Sequence, residues 1–219
     1  MSKHEYEEFK KELANLATPN SKPTLLLHSC CGPCSSHVLN LLSQYFKITV
    51  YYYNPNIYPL EEFEKRLNTQ KELLSKLDYH VDLIVEKDDY SVYLKNVDEY
   101  KHLGEKSMRC YKCYEFRMIK LQLAARHYNF DYFTTTLSVS PHKNSLWINE
   151  IGSRLTSDKC KYLYSDFKKE NGYLDSTNLA KKYELYRQDY CGCHFSLEET
   201  IKRKEEKESV TQVQIYGSK

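Results

Sequence analysis

The chain has 219 residues, of which 41% are hydrophobic and 28% are charged, and its formal net charge is +2. This composition predicts a globular protein in which residues 1–219 form a single domain, with an N-terminal helical extension at 1–20 and a tail at 209–219 that frays. The charge near zero leaves nucleic-acid binding to a local basic face. No apolar run reaches the roughly 18 residues of a membrane span, and the charged N-terminus is unlike a signal peptide, so no membrane partner and a cytoplasmic location are expected.

The predicted elements alternate between strands and helices along much of the chain. Strands are predicted at 24–28, 47–53, 80–86, 131–136 and 161–164. Helices are predicted at 4–17, after the first cysteines through Leu42, at 59–77, 113–128, 144–155, 175–187 and 196–208. Alternation of this kind predicts an α/β fold, in which a parallel sheet has helices on both faces, with a helical C-terminal part.

The segment after the first strand contains Cys31-Gly32-Pro33-Cys34, which is the spacing of a thioredoxin dithiol, and Cys30 directly precedes it. In an open parallel sheet, ligands bind beyond the carboxyl ends of the strands, so this segment is placed at a site. Seven of the eight cysteines fall into three clusters, CCGPC, CYKC and CGC, which comprise Cys30, Cys31, Cys34, Cys110, Cys113, Cys191 and Cys193. In a reducing cytosol such clusters indicate metal ligands or catalytic thiols, and thiolates suit zinc or iron–sulfur clusters. Cys160 stands alone and is expected to be an inert buried residue.

The seven sulfurs can be divided between two metal sites. Neighbouring side chains in extended backbone point to opposite sides, so Cys30 and Cys31 are expected to face different metals. A four-iron cluster takes four cysteines, and one of Cys30 and Cys31, both Cys110 and Cys113, and one of Cys191 and Cys193 supply them in this hypothesis. The other three thiolates would bind a second metal that keeps an open position.

Two other interpretations remain open from the residues. A thioredoxin-like thiol–disulfide oxidoreductase would use Cys31 and Cys34, with Pro141 as the proline beside the dithiol, but it leaves the other clusters unexplained. A zinc-stabilised RNA-binding module would hold its metal through CYKC and CGC, with CCGPC packed passively.

Five segments, in this order, resemble the QueH-type epoxyqueuosine reductases: LLLHSCCGPCSSHVL, YYNPNIYPLEEFEKR, RCYKCYEFRM, FTTTLSVSPHKN and YRQDYCGCHFS, spanning roughly residues 23–196. The resemblance implies reduction of the epoxide of epoxyqueuosine, at the wobble position of tRNA, to the alkene of queuosine. It also implies a [4Fe-4S] cluster beside a separate iron, on a sheet related to the PP-loop pyrophosphatase (HUP-like) folds. Some members carry an aspartate where this chain has Cys34, which leaves the role of Cys34 in the second iron site open.

Cysteines stand in the place of the phosphate-binding loop of those pyrophosphatases, and no GxGxxG segment is present, so we expect no nucleotide cofactor and an external electron donor. Three histidines lie beside the cysteine clusters and are candidate proton donors: His28, His142 and His194. A base taken out of its stack needs an aromatic plane, polar partners and cations. Candidate substrate-binding residues are therefore Tyr53, Asn54, Asn56, Arg66, Arg109 and Lys143, although the two asparagines serve equally well in a turn. Arg117 and Arg187 also flank the motifs and are as readily explained as solvated surface.

Overall fold

The structure is a computed structural model that describes residues 3–16 and 22–216. Its centre is a five-stranded sheet with the strand order β3-β2-β1-β4-β5, and all four neighbouring pairs are parallel. The strands are β1 (Thr24–His28), β2 (Lys47–Tyr53), β3 (Asp82–Glu86), β4 (Tyr132–Thr135) and β5 (Lys161–Tyr162). The five predicted strands are thus present.

The helices are α1 (Lys3–Leu16), α2 (Gly32–Leu42), α3 (Leu60–Ser75), α4 (Tyr90–Val97), α5 (Met108–His127), α6 (Ser145–Leu155), α7 (Gly172–Lys182) and α8 (His194–Tyr216). Short 3-10 turns follow α4 at Asp98–Tyr100 and β4 at Thr136–Val139. None of the helices in the described ranges is long and apolar enough to cross a membrane.

The alternation of side chains along β1 divides the core between the two faces of the sheet. Leu25 and Leu27 are buried in one cluster, which includes residues of α1, α2 and α7. Leu26 is buried in the other cluster, together with Met118 of α5 and Ile148 of α6. Side chains of successive strand residues point to opposite faces, so a fully apolar strand such as this one requires helices on both. The predicted parallel α/β sheet with helices on both faces is confirmed.

The N-terminal helix packs on the first of these two faces, where Tyr6, Phe9 and Leu13 are buried. Residues 1, 2 and 17–20 of the predicted extension, and residue 21 after it, lie outside the described residues. At the other end of the chain, α8 extends past the predicted end near Glu208 and continues to Tyr216, while 217–219 also lie outside the described residues. Fraying of 209–219, and the single-domain organisation, stay predictions.

Two helix boundaries differ from the predicted ones for local reasons. Helix α5 begins at Met108 instead of Cys113, because the Ser107 hydroxyl accepts a hydrogen bond from the backbone N–H of Arg109 at 3.3 Å and caps the first turn. Cys110 and Cys113 therefore both lie near the N-terminus of α5. Helix α7 ends at Lys182, five residues earlier than predicted, and Glu184 directly beyond it has a φ of 53° in the left-handed region.

Gly152 provides a test of the packing between α6 and β5. A Cβ atom at this position would lie 2.3 Å from Cε1 of the buried Tyr162 ring. We expect Gly152→Ala to lower the free energy of unfolding by about 1–3 kcal/mol through overpacking, measured by urea denaturation. Gly104→Ala is the matched control, because nothing lies within 4 Å of its Cβ position. Its free energy of unfolding should equal that of the unsubstituted protein. Equal stability of the two variants would contradict this packing.

Candidate metal centre

The first cysteine motif lies where β1 gives way to α2. Cys31 is the N-cap residue of α2, and its sulfur accepts a hydrogen bond from the backbone N–H of Cys34 at 3.4 Å. Gly32 and Pro33 form the first turn, where proline is tolerated. A Cβ on Gly32 would lie 2.8 Å from the backbone oxygen of Thr69, so the glycine is explained by the close approach of α3.

The sulfurs of Cys30, Cys31 and Cys34 form a compact group. The Sγ atoms of Cys30 and Cys31 are 3.9 Å apart, and those of Cys31 and Cys34 are 2.8 Å apart. Within the part of the chain that the structure describes, this is the one group of three or more potential metal-ligating side chains whose ligand atoms all lie within 4.8 Å of each other. A tetrahedral site with metal–sulfur bonds of about 2.3 Å needs sulfurs roughly 3.8 Å apart.

The expected divergence of Cys30 and Cys31 is wrong in this geometry. Strand β1 ends at His28 and the chain bends at Cys30, whose backbone N–H donates to the hydroxyl of Thr136 at 3.3 Å. The alternation of side chains applies only to continuous extended backbone. Both sulfurs therefore lie on one side of the chain, close enough to share a metal.

The three thiols of this group differ in acidity. Hydrogen bonds from the thiols of Cys31 and Cys34 hold the pKa of Cys30 well below its usual value, and the positive charges of Lys143 and Arg117 act in the same direction. Burial raises the pKa of Cys31 to about 12, while hydrogen bonds to Cys30 and Cys31 raise the pKa of Cys34. A bound cation would remove the remaining protons, because coordination deprotonates a thiol.

The other four clustered cysteines come together from α5 and from the loop before α8. Cys113 and Cys193 are both buried in one small cluster with Tyr93 and Val97. Burial raises the pKa of Cys110 and of Cys193 to about 12, and the nearby charge of Cys191 adds to both shifts. These four thiols are electrostatic neighbours and are candidates for a second soft donor set, although no three of their sulfurs among the described residues lie within 4.8 Å of one another.

A pocket of about 280 Å³ opens where the three motifs meet. Cys34, Cys110 and Cys191 all line it, so each cysteine motif contributes one sulfur to its wall. A second, water-sized cavity is lined by Cys30 and Cys191 together with Arg117, Lys143 and Gln188. The three motifs are therefore adjacent in space, although Cys30 and Cys193 are 163 positions apart in the chain.

The predicted substrate-binding residues divide into two groups. Asn54, Asn56 and Lys143 line the small cavity, and the side-chain oxygen of Asn56 is buried there without a hydrogen-bond partner. Lys143 also lines the larger pocket. Although burial opposes its charge, the negative charges of Cys191, Cys30 and Cys34 raise the pKa of Lys143, which keeps it an ammonium ion.

Arg66, Arg109 and Tyr53 are hydrogen-bonded within the protein, although Arg66 also lines the small cavity. Arg66 donates to Glu62 at 2.6 Å and to the backbone oxygens of Cys191 and Tyr190 at 3.1 and 3.3 Å. Arg109 donates to Glu199 at 2.8 Å, and Tyr53 is buried with its hydroxyl donating to Asp88 at 2.6 Å. The structure gives Arg66 a role in positioning the CGC loop, and the substrate contacts of these three residues stay predictions.

The three candidate proton donors occupy different environments. His142 is exposed and lines the pocket. His28 is fully buried: its Nδ1 lies 2.8 Å from the Thr135 hydroxyl and its Nε2 lies 3.1 Å from the Tyr53 backbone oxygen. Burial and the charge of Arg117 lower the pKa of His28 to about 3, so its ring is neutral. His194 lies at the start of α8, with Nδ1 at 2.5 Å from the Tyr90 hydroxyl, and burial lowers its pKa.

Three residues that contact the sulfurs were not among the predicted site residues: Thr136, Gln188 and Arg117. The Thr136 hydroxyl donates to Sγ of Cys30 at 3.6 Å. Arg117 is buried and is not the solvated surface residue that the sequence also allowed. Gln188 donates to Sγ of Cys31 at 3.2 Å, and Arg117 is buried with Nη1 at 3.9 Å from Sγ of Cys113. Arg117 follows Cys113 by four residues on a predicted helix, and this spacing places both side chains on one face. The sequence contains no comparable signal for Gln188.

Comparison with known proteins identifies the family. The sequence model of the family described as epoxyqueuosine reductase QueH matches residues 25–199. The chain belongs to this family. Epoxyqueuosine reductase QueH of Streptococcus pyogenes serotype M1 is 36% identical over 87% of this chain and 77% of its own length. The corresponding protein of Thermotoga maritima is 37% identical over 80% of this chain and 90% of its own length. That of Staphylococcus epidermidis is 35% identical over 85% of this chain and 82% of its own length.

A solved structure, that of NMN synthetase from Francisella tularensis, has a TM-score of 0.47 and 12% identity, and it covers 85% of this chain and 76% of that protein. The relation to the pyrophosphatase folds stays a prediction at this level of similarity. Membership of the QueH family confirms the resemblance found in the five sequence segments and classes the chain with oxidoreductases.

Arg66 and Glu62 provide a test of how the CGC loop is held. Both side chains are largely buried, so Arg66→Met leaves the Glu62 carboxylate without its cation, and we expect a loss of about 3 kcal/mol in the free energy of unfolding. Arg66→Met combined with Glu62→Gln should lose less than the sum of the single variants. Urea denaturation of the four proteins measures the coupling, and strictly additive losses would show that the pair does not carry this loop.

Proposed function

We propose that this chain reduces epoxyqueuosine in tRNA to queuosine, with a [4Fe-4S] cluster and a second thiolate-bound iron held by the seven clustered cysteines. Membership of the family supports the reaction. The observation that carries the proposal is the convergence of the three cysteine motifs on one pocket. Cytoplasmic location and an external electron donor belong to the same proposal.

The residues at the site fit these groups. Iron–sulfur clusters are held by cysteine thiolates, and four of the seven clustered cysteines, Cys30, Cys34, Cys110 and Cys191, line the two cavities. Basic side chains from three segments, Arg66, Arg117 and Lys143, line the small cavity and offset the negative charge of thiolates. Such a donor set suits iron better than the hard cations magnesium and calcium, which prefer oxygen ligands.

Two divisions of the sulfurs are compatible with these distances. The close group of Cys30, Cys31 and Cys34 favours these three for the single iron, with Cys110, Cys113, Cys191 and Cys193 on the cluster. The division expected from the sequence places one of Cys30 and Cys31 on the cluster instead. In the first division Cys30→Ser and Cys31→Ser both retain the cluster, whereas in the second one of them loses it, and Mössbauer spectra of the two variants separate these outcomes.

The reaction consumes two electrons and two protons and releases the epoxide oxygen as water, leaving a carbon–carbon double bond. Cys30, Cys31 and Cys34 would hold the single iron, which would supply a Lewis acid for the epoxide oxygen as that oxygen acquires negative charge. Lys143 contributes a positive charge to the same pocket, and His142 lies at its wall in contact with solvent, so it is the one of the three histidines best placed to deliver a proton.

The rim of the pocket suits a nucleic acid. Lys106, Arg187 and Arg203 are exposed cations at its edge, and Tyr173 exposes 42% of its surface there. Arginine and lysine bind phosphates, and an exposed aromatic ring stacks on a base that has left its helix. Because the net charge of the chain is only +2, nucleic-acid binding requires a local basic surface, and these rim cations provide one.

The thioredoxin-like alternative is not favoured by the burial of its dithiol. The attacking thiol of such enzymes is accessible and has a lowered pKa. Cys31 is only 1% exposed, and burial raises its pKa to about 12. An RNA-binding module without chemistry would not require three sulfurs in the wall of an open pocket.

The reaction is tested with protein reconstituted anaerobically with iron and sulfide, a low-potential electron donor and tRNA that contains epoxyqueuosine. We expect mass analysis of the nucleosides to show loss of one oxygen atom, and no conversion would contradict the proposal. Cys113→Ser should lose the cluster absorbance near 400 nm together with activity. Cys160→Ser is the matched control, because Cys160 is a buried cysteine outside the three motifs, and it should retain both.

The rim is tested by the double variant Lys106→Ala, Arg187→Ala. We expect KM for tRNA to rise about tenfold, and the dependence of log KM on log salt to fall by about 0.7 for each phosphate contact removed. The value of kcat should change little, since neither side chain reaches the sulfurs. Lys181→Ala, Lys182→Ala removes two charges from α7 that do not line the pocket and should leave KM unchanged. The same rise in both double variants would contradict a specific rim.

A further inference from the structure

Arg117 is a buried cation whose charge has no carboxylate partner. The residue is 2% exposed, and its contacts are Sγ of Cys113 at 3.9 Å, the side-chain oxygen of Asn54 at 2.6 Å and Nε2 of His28 at 3.3 Å. Its Nε atom is buried without a hydrogen-bond partner. No carboxylate among the residues described pairs with this guanidinium.

The other two buried arginines that flank the site each form an ion pair with a carboxylate. Arg66 pairs with Glu62 at 2.6 Å, and Arg109 pairs with Glu199 at 2.8 Å. A buried charge without a partner costs several kcal/mol, by order of magnitude, so the fold needs an anion near Arg117 as well. The cysteines around it are the groups that can supply one.

The positions of those cysteines agree with this requirement. Cys113 lies one helical turn before Arg117 on α5, while Cys30 and Cys191 line the small cavity together with it. Each of the three motifs thus places one cysteine near the same guanidinium, and all three act on it electrostatically. Asn54 holds the guanidinium in place from the other side, since its side-chain N–H donates to the backbone oxygen of Ser29 at 2.8 Å.

We propose that Arg117 is the fixed positive counter-charge of the iron–sulfur site and makes its reduction potential less negative. The inference rests on the proposed function. One electron taken from an external donor adds one negative charge to the site. A cation beside the sulfurs stabilises the reduced form more than the oxidised form, and hydrogen bonds and charges near the sulfurs are known determinants of the potential.

The charge of Arg117 is tested in the reconstituted protein by redox titration without tRNA, followed by electron paramagnetic resonance. Arg117→Gln keeps hydrogen-bonding capacity but removes the charge, so its midpoint potential should become more negative at equal iron content. Arg117→Lys retains the charge, so its midpoint potential should lie close to that of the unsubstituted protein. Arg126→Gln removes an exposed charge from the same helix and should titrate like the unsubstituted protein.

An unchanged potential in Arg117→Gln overturns the inference, as does a shift in Arg117→Lys as large as that in Arg117→Gln. If Arg117→Gln binds no iron, the Arg117→Lys variant provides the test. A midpoint potential equal to that of the unsubstituted protein supports the counter-charge, and a more negative one overturns it. Iron binding by the unsubstituted protein is a separate result. Its failure contradicts the proposed function, whereas a loaded protein that is indifferent to Arg117 contradicts only the present inference.

Discussion

The balance of charge among buried sulfurs and buried cations is the constraint on which the rest of this site depends. Seven cysteines lie in the three motifs of this site, where hydrogen bonds from Cys31 and Cys34, aided by the charges of Lys143 and Arg117, lower the pKa of Cys30. Neither kind of charge is stable alone in a low-dielectric surrounding, but each makes the other tolerable. Much of the rigid framework therefore holds these groups together. It includes β1, the start of α2 and the first turns of α5.

The CGPC sequence shows how the same four residues serve different purposes in different folds. Here Cys31 caps α2, Gly32 allows the close approach of α3, and the sulfurs face a pocket that two other cysteine motifs complete. Helix capping explains the place of Cys31 in this spacing, and the proposed function gives Cys34 a reason to lie within reach of the same metal. What distinguishes this arrangement from an oxidoreductase dithiol is burial, because Cys31 is shielded from the solvent that an exchanging thiol must reach.

The sheet could be predicted because its signals are local. Leu25, Leu26 and Leu27 form an apolar run typical of a strand covered on both faces, and the strands alternate with helical patterns. The cysteine spacing likewise indicated three clusters. Long-range contacts could not be predicted: that Arg66 holds the CGC loop, that Gln188 reaches Cys31, and that a bend at Cys30 turns both vicinal sulfurs to one side all depend on how distant segments pack. Propensity and spacing carry no information about such partners.

The separation of the three cysteine motifs in the chain has a consequence for how the protein matures. The three sulfurs of CCGPC come together within five residues, whereas Cys113 and Cys191 are 78 positions apart, so the CYKC and CGC thiols meet only after the segment between them has folded. Under the proposed function, assembly of a cluster on these four cysteines would therefore follow the folding of the scaffold that carries them. The pocket where the three motifs meet would be the entry for iron and sulfide, and under the proposed function a tRNA bound over it would compete with loading of the cluster.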